Sequence, residues 1–305
     1  MRLVFMGTPD YATRIFEEIL KEGIFEVPLL VTQKDKPVGR KQVLTPPHIK
    51  KWVIDNSLDI DIFQPDSLRS QESYEKIYSY KPDIIVVAAY GKILPKEILN
   101  ISPCINLHAS ILPKYRGASP IQSAILNQES LSGVTAMMME EGLDSGDILA
   151  FRYVDFKDIR VDKAFDILSE AAAKLCVKVL KDFKNLKSIK QLDFDASKCV
   201  KIKKENGLIS FAQSALDIYR KYLAYTPWPG LFLENGLKLK ELKLYSRDGK
   251  NSTIGSIEKI LDNSIVVTCK EGMVEIVTLQ APSKKAVNAL EYIRGKRIGV
   301  GDTLV

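Results

Sequence analysis

Two runs constrain this chain most: Leu3-Val4-Phe5-Met6 and Ile84-Ile85-Val86-Val87-Ala88 are apolar at every position. A half-exposed strand alternates apolar with polar residues, so an unbroken run must be covered on both faces. That is the signature of an interior strand in a sheet sandwiched between helices. Gly7-Thr8-Pro9 follows the first run, and Ile15, Phe16, Ile19 and Leu20 then recur at helical spacing from about Asp10. Val27–Thr32, Ile60–Phe63 and Val134–Met139 read as further strands, and Tyr74–Tyr78 lies in a helix. Val161–Leu180 carries an amphipathic stripe that closes a first domain. The expectation is an α/β fold with an open, Rossmann-like sheet. Only one glycine stands in the first strand-to-helix turn, so the G-x-G-x-x-G pattern of a dinucleotide site is absent.

The pattern changes from Leu208. Ile209–Tyr222 is expected to hold one helix, and Thr226-Pro227-Trp228-Pro229 a rigid turn. Short β runs then alternate with turns, at Leu231–Glu234, Leu237–Tyr245, Gly255–Ile260, Ser264–Cys269 and Met273–Gln280. Asn235-Gly236, Asp262-Asn263 and Glu271-Gly272 are hairpin signals. Five short strands suggest a small β-barrel of oligonucleotide-binding (OB-like) type. We therefore expect a catalytic domain over 1–188, a basic linker over 189–206 and an OB-like domain over 207–305.

Composition narrows the classes. The net charge of +6 is uneven: from residue 191 onward 18 Lys/Arg face 13 Asp/Glu, a net of +5. A basic final third suits a polyanionic partner. Lys203 and Lys204 close the linker, Lys238 and Lys240 share one strand, and Arg297 sits in another cluster with Arg294 and Lys296. The four cysteines form no C-x-x-C, and the two histidines lie 60 positions apart, so no metal site is expected. No apolar run approaches the ~20 residues of a membrane span, and because Met1–Phe5 read directly into a strand, no signal or transit peptide is expected. A cytoplasmic monomer is the expectation.

Chemistry concentrates between Ile105 and Leu149. Cys104–Leu107 is a short apolar run ending in polar residues, as at the carboxyl end of a buried strand, where open α/β sheets place ligands. Asn106 and His108 are two apart and share a side of an extended backbone. An amide and an imidazole converging on one spot can bind a carbonyl oxygen as it becomes an oxyanion. Asp144, between Gly142 and Gly146, lies on a loop with little steric restraint, and its carboxylate near His108 would favour the imidazolium. Alone, Asn106 or His108 reads more often as a satisfied strand-end side chain, and Asp144 as a turn former.

The run Asn106-Leu107-His108-Ala109-Ser110-Ile111-Leu112-Pro113-Lys114-Tyr115-Arg116-Gly117, followed by Gly142-Leu143-Asp144-Ser145-Gly146-Asp147, resembles the signature of the folate-dependent formyltransferases. The resemblance implies catalytic roles for Asn106, His108 and Asp144 and a 10-formyltetrahydrofolate donor. It implies folate contacts at Ser110, Ile111, Leu112 and Pro113, and at Ala89, Tyr90, Gly91 and Lys92. These two segments also read as loop punctuation and a plain strand-to-helix turn. The loop from Gln33 to Pro47, with Lys34, Lys36, Arg40 and Lys41, is similar to the insertion of the tRNA-acting members. In them Arg40 matches an arginine engaging the acceptor end of tRNA. The implied acceptor is initiator methionyl-tRNA. Ile111 and Tyr115 depart from the residues usual in the family. A glycinamide nucleotide or an amino sugar is the rival acceptor; a catalytically dead nucleic-acid binder and a formyl-folate hydrolase are rivals in kind.

Overall fold

The computed structural model describes residues 1–39, 41–249 and 253–304. The chain opens with β1 (Arg2–Gly7), α1 (Asp10–Lys21) and β2 (Glu26–Val31). A short hairpin, β3 (Lys36–Val38) with β4 (Val43–Thr45), precedes α2 (His48–Asp55), β5 (Asp61–Phe63), α3 (Gln71–Ser79) and β6 (Ile84–Ala88). The short α4 (Lys96–Leu99) leads to β7 (Cys104–His108), β8 (Arg116–Gly117), α5 (Pro120–Leu126), β9 (Leu131–Met138) and β10 (Ile148–Asp155). The long α6 (Val161–Asp182) and a two-residue β11 (Lys198–Cys199) complete this part.

Seven strands form one sheet in the order β10-β9-β7-β6-β1-β2-β5. β5, β2, β1, β6 and β7 run parallel, and β9 and β10 are antiparallel additions. The doubly apolar runs explain the burial. Val4 and Met6 pack with Leu29, Val31, Ile85, Val87 and Tyr90 in one core layer. Phe5 faces the other way, its ring 4.9 Å from Phe16 of α1, and Phe16 lies 6.1 Å from Trp52 of α2. Strand order reverses between β1 and β6, and Gly7 and Ala88 pair at that edge. Such a switch point opens a crevice beyond the carboxyl ends of the strands.

Several of these elements go beyond the sequence reading. The Gln33–Pro47 loop contains the β3–β4 hairpin, whose residues are all exposed. β10 is an edge strand with Phe151 and Tyr153 partly exposed, which weakens its alternation.

The second compact unit gathers Ile121–Ser130 and Phe156–Ala164 with Val200–Val305. It holds α7 (Ala215–Tyr225), β12 (Leu231–Phe232), β13 (Lys238–Ser246), β14 (Ile257–Ile260), β15 (Ile265–Thr268), β16 (Met273–Gln280), β17 (Val287–Asn288) and α8 (Ala289–Lys296). The strands pair in the order β12-β13-β16-β15-β14, all antiparallel, with β17 on β16. Among the described residues no strand pairing joins β12 to β14. The expected helix over 209–222 begins later, at Ala215. Ser214 caps it by accepting from the Asp217 amide at 3.0 Å, while Ile209 donates its N–H to Phe232 in extended backbone. α8 is an addition to the reading; Asn288 caps it through the Leu290 amide at 2.8 Å.

Candidate active site

β7 delivers Asn106 and His108 to the carboxyl end of the sheet, one strand from the switch point. The strand is braced from α1: the buried Tyr11 hydroxyl donates to the Leu107 carbonyl at 3.3 Å. Burial raises that phenol's pKa, which keeps it a donor.

Asp144 completes the cluster. Its Oδ1 accepts from Asn106 Nδ2 at 3.3 Å and its Oδ2 from the Gly117 amide at 2.8 Å. His108 Nδ1 lies 3.6 Å from Asp144 Oδ2, with side chains only 6% and 13% exposed. On the far side of the ring, His108 Nε2 meets the Tyr115 carbonyl at 2.9 Å. A carbonyl can only accept, so Nε2 carries the hydrogen of that contact and leaves Nδ1 facing the Asp144 carboxylate. The three groups named from the sequence thus meet in space: an amide, an imidazole and a carboxylate.

Asp144 is not loosely held. Its backbone is left-handed at φ +52°. A Cβ on the buried Gly146 would come within 2.0 Å of the Met138 carbonyl oxygen, so that glycine answers to close packing rather than freedom. The Gln191 amide donates to the carbonyls of Asp144 at 2.9 Å and Gly146 at 2.7 Å. Gly117 sits at φ +127°, and a Cβ there would come within 2.1 Å of the Cys199 carbonyl. The expectation of a loop with little restraint is therefore corrected: contacts from 27 to 47 positions away pin it.

The other candidates separate by what their side chains do. Ala89 and Gly91 are exposed in left-handed backbone just past β6, at φ +44° and +81°. Tyr90 between them turns its ring into the core, 2% exposed, and its carbonyl accepts from Thr8 and Gln33. Lys92 donates to the carbonyls of Pro65 and Asp66 at 2.7 and 2.9 Å, and desolvation lowers its ammonium pKa. Ser110 is fully buried and donates to the Lys114 carbonyl, while Leu112 packs with Met137 and Ile148. Ile111 and Pro113 are half-buried.

Arg40 lies outside the described residues. Lys41 is exposed beside the β3–β4 turn, and Lys203, Lys204, Lys238, Lys240 and Arg297 are all exposed in the second unit. Arg297 ends α8 in left-handed backbone at φ +56°. The base of the Gln33–Pro47 loop is anchored by Asp35, which accepts from Gln64 at 2.8 Å and Lys50 at 2.9 Å; these bonds, Gln64's first, hold its carboxyl below the usual range.

Sequence reasoning missed Gln191 and Thr135. Thr135, buried between strands, donates to the Ser110 carbonyl at 2.7 Å and accepts from the Leu112 amide at 3.0 Å, fixing the 110–112 turn. A threonine between glycine and methionines was a visible signal for it; Gln191 had none.

The formyl transferase family matches residues 1–180, and its C-terminal domain matches 201–297. Methionyl-tRNA formyltransferase of Nitratiruptor sp. is 56% identical, covering 99% of both chains. That of Campylobacter hominis is 50% identical over the full length of both. Among solved structures, an N-formyltransferase from Helicobacter canadensis in complex with folinic acid and dTDP-3-aminofucose aligns with TM-score 0.67 and 19% identity, covering 90% of this chain and 98% of that one. HypX from Aquifex aeolicus with tetrahydrofolic acid aligns with TM-score 0.65 and 18% identity over 98% of this chain. This chain spans about half of HypX, 48% of its length, and the two structures speak to the fold alone. With both family domains matched in order and full-length relatives at half identity or better, the chain belongs to the formyl transferase family.

Proposed function

We propose that the protein transfers the formyl group of 10-formyltetrahydrofolate to the α-amino group of initiator methionyl-tRNA. The observation that carries this reading is the meeting of Asn106, His108 and Asp144 at one strand end, at 3.3 and 3.6 Å. The full-length methionyl-tRNA formyltransferase relatives support the choice of acceptor. The bound folate supplies an electrophilic formyl carbon whose oxygen gains negative charge as the amine adds. Asn106 offers that oxygen its second amide N–H. Protonated His108 presents Nδ1–H to the same region, and Asp144 balances the imidazolium. Asp144 takes the proton that the amine sheds, through water, and His108 returns one to the departing nitrogen. One oriented oxyanion donor is worth ~3 kcal/mol, and a placed acid–base roughly 10²–10⁴ in rate. Ala89, Gly91, Ile111 and Pro113 border the folate in this reading, and Lys41, Arg40 and the exposed cations of the second unit meet tRNA phosphates. The enzyme works as a cytoplasmic monomer.

The test is incubation with formyl-folate and charged initiator methionyl-tRNA, elongator methionyl-tRNA or a nucleotide-linked amino sugar. Initiator formylation is expected; formylation of the sugar alone overturns the reading. Asp144→Asn should lower kcat by about tenfold or more with tRNA affinity held within about twofold. A variant as fast as wild type removes Asp144 from the chemistry.

A further inference from the structure

The stretch of chain from Ser188 to Cys199 is bonded at several points to the segments that carry the catalytic cluster. Ser188 donates to Asp147 at 2.9 Å, and Ile189 exchanges two backbone bonds of 2.8 Å with Ile148. Ser197 accepts from the Tyr115 amide at 2.9 Å, and Lys198 and Cys199 pair with Arg116 and Gly117. At its centre is Gln191. Its Nε2 donates to the carbonyls of both Asp144 and Gly146, and its Oε1 accepts from Arg116 Nε at 2.9 Å. Arg116, itself 9% exposed, is tied on its other side to Asp193 at 3.0 Å. An arginine only donates and a carbonyl only accepts, so the amide has a single workable orientation and all three of its bonding groups near the cluster are used.

We propose that Gln191 is a positioning residue for formyl transfer: clamped by Arg116, it holds the left-handed turn that aims the Asp144 carboxylate at Asn106 and His108. The proposal rests on the reading of Asp144 given above. It explains how an aspartate on a turn keeps a 3.3 Å bond to Asn106 without a helix or strand beneath it. The two carbonyls that Gln191 binds bracket Ser145, so losing the clamp frees the backbone that carries the Asp144 side chain.

The experiment compares Gln191→Glu, Gln191→Met, Asp144→Asn and the double variant Asp144→Asn/Gln191→Glu at pH 7.5, in single-turnover and steady-state formylation. Glutamate keeps the length and an acceptor for Arg116 but offers no N–H to the two carbonyls; methionine keeps the volume alone. Both single Gln191 variants should lose about 10- to 100-fold in kcat, the scale of an ångström of misplacement, with KM for folate and tRNA within about twofold. Circular dichroism melts identify any variant that fails to fold, and either Gln191 variant suffices for the comparison. In the Asp144→Asn background, Gln191→Glu should cost about twofold or less, because a residue acting through Asp144 has nothing left to aim. Additive losses in the double variant, or a raised KM with unchanged kcat, would overturn the proposal. So would wild-type kcat in both Gln191 variants beside an impaired Asp144→Asn, which leaves the Asp144 reading intact. An unimpaired Asp144→Asn overturns both readings together.

Discussion

The end of β7 and the solvent face of β13 carry charge in opposite ways. Around Asp144, both carboxylate oxygens, the backbone carbonyl and the facing imidazole are engaged, and His108 is 6% exposed. On β13, Lys238 and Lys240 stand in solvent while Leu237, Leu239 and Leu242 between and beside them turn inward. The contrast follows from what each charge has to do. Stabilising charge that develops during a reaction requires donors already in place, because reorganising them would consume the gain. Meeting a phosphate backbone requires only a cation within reach, which adjusts as counterions leave. Substitutions should therefore be steeply punished at one place and mildly at the other.

The largest effect is expected at His108. His108→Ala should lower kcat/KM by roughly 10²–10⁴, measured as initial rates of formylation at fixed tRNA, while tRNA binding by filter retention is nearly unchanged. A loss below about tenfold would make β7 as tolerant as β13 and erase the contrast. Gly117→Ala comes next. A Cβ 2.1 Å from the Cys199 carbonyl, at φ +127°, meets backbone that cannot step aside. Strain and overpacking together should destabilise the fold by roughly 3–5 kcal/mol, read from urea midpoints. Wild-type stability would mean that β8 and β11 part at little cost.

On the other side of the comparison, Lys238→Ala and Lys240→Ala should each weaken tRNA binding by a few-fold without touching single-turnover rate. Each should also flatten the slope of log affinity against log salt by about 0.7–0.9. An unchanged slope removes that lysine from the phosphate contacts.

How much of this was legible depends on how far apart the cooperating residues lie in the chain. β1 and β6 were readable because doubly buried strands need unbroken apolar runs. Asn106 and His108 were readable because two-residue spacing on a strand shares a face. Asp144 came only with the longer motif, since nothing local shows that residue 144 reaches residue 106. Gln191 was hidden for the same reason at greater range: it lies among charged residues that look like a solvated connection, and its three bonds reach 45 to 75 positions back. The late start of α7 was legible after all, in Ser214-Ala215-Leu216-Asp217, a capping pattern overridden by the apolar Ile209 and Phe211 upstream.

Tyr90 offers the smallest effect and the sharpest division between backbone and side chain. It lies in the segment that the folate reading uses, yet its ring packs with Leu68, Ile77 and Leu94, and its hydroxyl has no hydrogen-bond partner among the described residues. A buried hydroxyl without a partner is a net cost, so Tyr90→Phe should leave stability unchanged or raise it by about 1 kcal/mol at pH 7. Burial pushes the phenol from 10.0 up to about 12, so it stays neutral when folded and ionises when unfolded. Its contribution is therefore intact below pH 10 and lost as pH rises from 10 toward 12. Paired urea titrations at pH 7 and pH 10.5 should show the Phe variant gaining on wild type at the higher pH. Formylation should stay within about twofold, because Tyr90 meets Thr8 and Gln33 through its carbonyl, which the substitution keeps. A rise of tenfold or more in KM for the folate would show the hydroxyl reaching the donor, and would move Tyr90 from the core layer to the active-site side of the comparison.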